Sequence, residues 1–481
     1  MNREFLLNLL FLLFINVLIK PFYILGIDRT VQNRVGLEDY GLYATLFSFT
    51  FLLQIINDFG LQNFNNRNIS QHRQLLPKYF PNMLVLKLGL GLIYTALTLM
   101  AALVLGYSAD YFPLLLFFIL NQILLSAILF FRSNISGLGF YRTDSWLTIM
   151  DRGLLIVLVG FLLWGNWTTQ PFQIEWFVYA QTTSLLLTAT VAFFIIYRQL
   201  PRLTVQFRPA FLLLILKKSY PYALAIFLMT VYTRIDFVMI ERLHPTGEKE
   251  AGIYAAAYRL LDALNVIGLL FAGLLLPMAA RLLKEKQSIR PLLKLSLPMI
   301  LCGAITVVIA TIFYRKELLF LLYDDASNYG ANVLGVLIVN FILISGGYIY
   351  GSLLTANDSL EKMNQLFALS VGLNVGLNFW LIPQYGALAA AATTVTTQTF
   401  ALIGQIILAK REFQLRNDIG LIARLVLLGC ILVTLGIYLK MSFGTSWVVG
   451  FGILLILGIG LGFLLRLLDV AAFIQLTKSE R

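Results

Sequence analysis

Stretches of roughly 20 apolar residues follow one another along almost the whole of this chain, and that pattern limits the fold before any motif is read. A helix of that length crosses about 30 Å of hydrocarbon, and within lipid only helices and closed barrels satisfy their own backbone groups. About 14 such segments can be placed: 5–27, 40–61, 82–106, 112–131, 146–164, 176–197, 211–240, 253–279, 292–313, 331–356, 363–382, 386–409, 421–439 and 447–465. The expected fold is therefore an all-α polytopic membrane protein, organised as two six-helix lobes and a C-terminal helix pair. An apolar share of 59% against 12% charged residues is far from the soluble average. The opening MNREFLLNLLFLLF has the charged start and apolar run of a signal peptide but no small-x-small cleavage site. It reads as a retained first membrane helix.

Orientation follows from the basic residues in the connecting loops. With the N-terminus in the cytoplasm, the inner loops carry Arg67, Arg73, Arg132, Arg142, Arg198, Arg202, Arg208, Lys284, Lys286, Arg290, Lys362 and Lys410 among others. That places about 23 basic residues inside and about 7 outside, the latter including Arg29, Arg34, Arg242 and Arg315. Both termini then face the cytoplasm. The net charge of +12 is accounted for by this asymmetry rather than by a polyanionic partner such as nucleic acid. No loop is long enough to form a domain. The longest inner connection, at 199–210, carries Pro201 and Pro209 and reads as an interfacial linker, so the expected division is 1–198, 199–210, 211–410 and 411–481.

The lobes echo each other. VGLEDYGLYATLFSF, beginning at Val35, aligns without gaps with the stretch ending in AGIYAAAYRLLD, so that Gly41, Tyr43 and Ala44 fall on Gly252, Tyr254 and Ala255. A third echo, LIPQYGALAAAATT, begins at Leu381, where a helix ends near Pro383 and a run of small residues favours tight packing. Internal duplication recurs among transporters, with the substrate path between repeats. Arg234, Asp236, Arg259 and Asp262 lie inside these apolar segments, where ionisable groups are costly and mark candidate sites.

LEDYGLYA with the following DFGL at 58–61, AGIYAAAYRLLD at 251–262 and LIPQYGALAAAATT at 381–394 resemble the signatures of polysaccharide (O-antigen type) flippases. These belong to the multidrug/oligosaccharidyl-lipid/polysaccharide exporter superfamily. The resemblance implies a flippase that carries undecaprenyl-pyrophosphate-linked oligosaccharide repeat units across the bacterial cytoplasmic membrane by alternating access. It also implies a role in building O-antigen, capsule or exopolysaccharide, and a central cavity lined by the first and seventh helices with basic residues.

For such a substrate the cations matter first, because guanidinium groups pair bidentately with phosphate and stay charged when partly desolvated. Arg234 and Arg259 are the leading candidates. Through the repeat, Arg234 corresponds to Tyr23, and Lys20 lies three residues earlier on the same helical face. Arg152 joins them because it adjoins Asp151 and only one of the two can face a cavity. Against these roles stand internal ion pairing of Arg234 with Asp236 or Asp262, and outward snorkelling of Lys20. Asp236, Asp262 and Asp58 are candidates for proton or sodium coupling, or else simple counter-ions. Lys87 and Arg424 lie near helix ends and are expected to snorkel.

Asn16, Asn121, Gln122, Asn340, Asn374 and Asn378 serve either interhelical hydrogen bonding or glycan contact. Tyr222, Tyr232, Tyr254 and Tyr258 serve either sugar stacking or an interfacial belt. GIGLG at 458–462 reads as a packing face. No cofactor is expected, since no phosphate-binding loop or metal-ligand spacing occurs and His72 and His244 stand apart. Cys302 and Cys430 read as small apolar residues. The competing functions are a multidrug or cation antiporter of the same superfamily, and a membrane polysaccharide polymerase or acyltransferase. An enzyme is disfavoured because no sizeable outer loop or His and carboxylate constellation is present. The duplicated chain is expected to work as a monomer.

Overall fold

The computed structural model describes residues 19–468, except 20, 60, 63–68, 70–73, 75, 166–169, 201–208, 416–417 and 443–445. Two compact units result, Met1–Glu241 and Arg242–Arg481. In the first, a π-helical turn, Tyr23–Asp28, leads into α1 (Arg29–Leu52), α2 (Gln54–Asp58), α3 (Leu76–Val104), α4 (Phe112–Gly137), α5 (Tyr141–Trp164), α6 (Ile174–Tyr197) and α7 (Pro209–Leu243). The second holds α8 (Gly247–Lys284), α9 (Arg290–Phe313), α10 (Arg315–Leu322), α11 (Asn328–Leu337), α12 (Asn340–Ala356), α13 (Leu360–Phe413), α14 (Ile419–Ser442) and α15 (Trp447–Leu464). Among the described residues 11 helices are long and apolar enough to cross a membrane. The all-α polytopic fold is thus as the apolar segments dictate.

Backbone breaks fall where residue type permits them. α13 has 54 residues, about 81 Å if straight, far more than one crossing needs. It is divided at Gly386 (φ 54, ψ −132), a conformation that costs glycine little because it has no Cβ. The expected crossings 363–382 and 386–409 are its two halves. The stretch 28–39, expected as a loop, is instead helical apart from Gly36 (φ 86, ψ 177). Leu53 then separates α1 from α2, and Phe59 ends α2 in the left-handed region (φ 49).

In the first unit the Tyr43 ring lies 5.5 Å from Phe118 of α4 and 5.2 Å from Phe177 of α6. A second core gathers Phe80, Met83, Phe130, Phe131 and Ile196. In the second unit the terminal pair packs on α9: Gly458 lies against Thr306 and Gly462 against Cys302. Leu428, Leu432 and Leu454 join Ile300 and Ala310 in one cluster. The GIGLG segment is therefore the packing face expected of small residues. Cys302 is buried there as a free thiol, while Cys430 is exposed.

Candidate functional site

Three polar clusters stand out among the described residues of the first unit. The first joins α2, α3 and α4. Lys87 Nζ donates to Asp58 Oδ1 at 2.5 Å, to the Ser126 carbonyl at 3.2 Å and to Ser126 Oγ. Its three N–H bonds are thereby used. Ser126 Oγ lies 3.3 Å from the Asn57 carbonyl, and Asn57 Nδ2 donates to the Gln122 carbonyl at 3.1 Å. Lys87 is 7% exposed, so the expected snorkelling does not occur. The reason is geometric: α3 starts at Leu76 rather than near residue 82, which sets Lys87 about 16 Å into the helix and obliges it to find a counter-ion.

The second cluster lies at the start of α1. Asp28 is fully buried and accepts a 2.5 Å hydrogen bond from the Tyr40 hydroxyl. One turn on, the Tyr43 hydroxyl accepts a 2.7 Å bond from Gln181 Nε2 of α6. In the third, the Arg152 guanidinium sits over the Tyr23 ring, 4.7 Å from its centroid, and 3.7 Å from Asp151 Oδ2. Adjacent residues diverge on a helix, yet the long Arg152 side chain curls back to its neighbour. A guanidinium over an aromatic face is held there by the attraction of its charge to the ring's π-electrons.

In the second unit Arg259 Nη1 and Asp262 Oδ2 form an i,i+3 ion pair of 3.6 Å on α8. The Tyr254 hydroxyl lies 3.2 Å from Thr394 Oγ1. This repeats the first unit, because Tyr254 is the sequence equivalent of Tyr43 and its partner again comes from the last helix of the six. In the first turn of α8, Glu250 accepts bonds of 2.8 Å from the Tyr329 hydroxyl and from the Ala387 amide. Its carboxylate thus caps the helix that restarts after Gly386, where negative charge is favoured.

These internal repeats set the frame for comparison with known proteins. Residues 6–283 match the family model described as polysaccharide biosynthesis protein. The chain belongs to that family. A capsular polysaccharide biosynthesis protein, CapF of Staphylococcus aureus, is 29% identical over 217 residues, covering 43% of this chain and 51% of that protein. The match thus spans about half the length of that curated relative. Among solved structures, the lipid II flippase MurJ in an inward closed conformation aligns with a TM-score of 0.70 at 12% identity, covering 95% of this chain and 97% of its own. An inward-facing multidrug resistance MATE transporter of the MOP superfamily aligns with a TM-score of 0.65 at 15% identity, covering 84% of this chain and 98% of its own. The family's fold is thereby the one expected, at identities that speak for fold alone.

Of the residues singled out in this family member's sequence, Lys20 lies outside the described residues, as do Asn16 and His72. Asp236 is fully buried on α7, and Arg234, on the same helix, is partly buried. Arg259 and Asp262 are brought together, as are Asp58 and Lys87. Tyr232, Tyr254 and Tyr258 are buried, so an interfacial belt does not describe them; Tyr222 is exposed. Asn374 and Asn378 are fully buried and bonded to each other at 3.1 Å. Arg424, in the second turn of α14, reaches the Leu465 and Arg466 carbonyls at 3.3 Å, satisfying the end of α15. Asp28, Asn57, Ser126 and Gln181 were not legible as partners. The one available signal was Lys87 itself, a lone cation inside an apolar run.

Proposed function

We propose that this family member is a flippase for lipid-linked oligosaccharide. It moves undecaprenyl-pyrophosphate-linked repeat units across the bacterial cytoplasmic membrane by alternating access, for surface polysaccharide biosynthesis. The observation that carries the reading is how much of the chain each kind of structure covers. The inward-facing MATE transporter covers 84% of this chain, whereas the lipid II flippase aligns over 95% of it. An architecture shared with a lipid-linked-substrate flippase over nearly its whole length supports that substrate class more than a drug antiporter.

In this reading the protein is a transporter and not an enzyme, acts as a monomer, and keeps both termini in the cytoplasm. Its working lobes are 1–198 and 211–410, with 199–210 as linker and 411–481 as the accessory pair. Arg234, Arg259, Lys20 and Arg152 bind the pyrophosphate. The stacked Arg152 guanidinium and the half-buried Arg259 support this, because both are cations held within apolar segments. Asp236, Asp262 and Asp58 couple the cycle to protons or sodium, Asp58 doing so with Lys87 as its counter-ion. The test replaces Arg234 by Ala and separately by Lys in cells that depend on the protein for surface polysaccharide. Export lost with Ala at normal membrane abundance and partly restored with Lys supports a cationic contact. Normal export with Ala removes Arg234 from the substrate path.

A further inference from the structure

Two segments of the chain, one in each unit, carry one pattern: NQILLS at 121–126 in α4 and NFILIS at 340–345 at the start of α12. Asn121 is 6% exposed and Asn340 is fully buried. In both, neither atom of the side-chain amide meets a hydrogen-bond partner among the described residues. A buried amide without partners forfeits its hydration with nothing in return, and native interiors pair such groups with protein or with ordered water. The same open amide thus occurs in a matching segment of each unit.

The serines five residues on differ. Ser126 receives the Lys87 ammonium and lies against the Asn57 carbonyl. Ser345 is fully buried, and its hydroxyl has no partner among the described residues. The prolines within α3 and α9 give the register between those helices: Lys87 follows Pro81 by six residues, and Ala304 follows Pro298 by six. Where the first unit has an ammonium, the second has a methyl group, itself buried.

We infer that each unit holds ordered water at the asparagine of this repeated segment, and that the second unit holds further water at Ser345, in the place the Lys87 ammonium fills in the first. The chemistry selects water over an ion. A carboxamide presents two donors and an acceptor together, so a cation meets the Nδ2 donors and an anion the Oδ1 lone pairs, while water serves both. The hydroxyl of Ser345 is likewise uncharged and ambivalent. Buried waters of this kind make about three hydrogen bonds and are costly to remove. They give α12 an exchangeable partner, so that it shifts against its neighbours without stranding a polar group, whereas α4 is tied by hydrogen bonds through Ser126 and Gln122 to Lys87 of α3 and Asn57 of α2.

The experiment is a structure of the full chain in lipid nanodiscs at a resolution that shows ordered solvent. Solvent peaks are expected within about 3 Å of the Asn121 and Asn340 amides and of Ser345 Oγ. Amides bonded directly to protein groups, or a dry Ser345, overturn the inference. Asn340→Leu gives an independent reading by thermal unfolding. In a dry interior it deletes an unsatisfied group and leaves the Tm unchanged or raised, which also overturns the proposal. In a wet interior it expels the water that paired the Asn340 amide with its surroundings, leaves the other groups bonded to that water unsatisfied, and lowers the Tm.

Discussion

Lys87 Nζ stands 2.5 Å from Asp58 Oδ1, about three turns inside an apolar helix, with both partners on different helices. A buried pair of this kind is worth little against an apolar substitute, but breaking it by removing one member leaves the other charge uncompensated. Lys87→Ala and Asp58→Ala are each expected to destabilise the first unit by about 3–5 kcal/mol. The double variant should cost clearly less than the sum of the two. Additive losses in chemical denaturation of the purified protein would show that the two charges are not coupled.

The two repeat tyrosines should differ in what their hydroxyls contribute. Tyr43→Phe strands the Gln181 amide and is expected to cost about 1–3 kcal/mol. Tyr254→Phe costs less, about 0.5–1.5 kcal/mol, because Thr394 keeps its 2.9 Å bond to the Ala390 carbonyl. Unfolding midpoints of the two variants, measured side by side, check the order; the reverse order would contradict the described bonding.

Gly386 combines a left-handed φ with close approach of the Glu250 carboxylate and the Tyr329 hydroxyl to the place a Cβ would take. Gly386→Ala is therefore expected to lower stability by about 1–3 kcal/mol. Gly429→Ala, where a Cβ meets nothing within 4 Å, should be neutral or gain up to about 1 kcal/mol from helix propensity. Equal effects at the two sites would remove the argument from backbone conformation.

Packing of α15 on α9 is open to chemical test. Gly462 lies against Cys302, so Gly462→Val overpacks the contact at about 1–3 kcal/mol and should loosen the terminal pair. In a Cys430→Ser background, Cys302 is expected to resist a membrane-permeant maleimide in the parent and to react in the Gly462→Val variant. Fast labelling in the parent would mean that this face is not closed.

The sequence by itself determined the solvent, the element type and the repeat. Twenty-residue apolar runs leave helices as the only economical way to satisfy backbone groups in lipid, and the expected crossings from 82–106 onward coincide with described helices to within two residues at their ends, except that 331–356 is divided into α11 and α12 at 338–339. The alignment of Tyr43 with Tyr254 likewise reappears as two equivalent hydroxyl contacts. Helix ends were harder, because hydropathy stops at the first polar residues while the helix continues through them. That is why Lys87 was placed near an end when it lies deep in α3, and why 28–39 read as a loop. Tertiary structure alone decided which polar group meets which. Asp58 with Lys87, Asp28 with Tyr40 and Arg152 with Tyr23 join residues from separate helices or distant turns. A linear pattern records the cost of burying each group, but only packing brings the partner that offsets it.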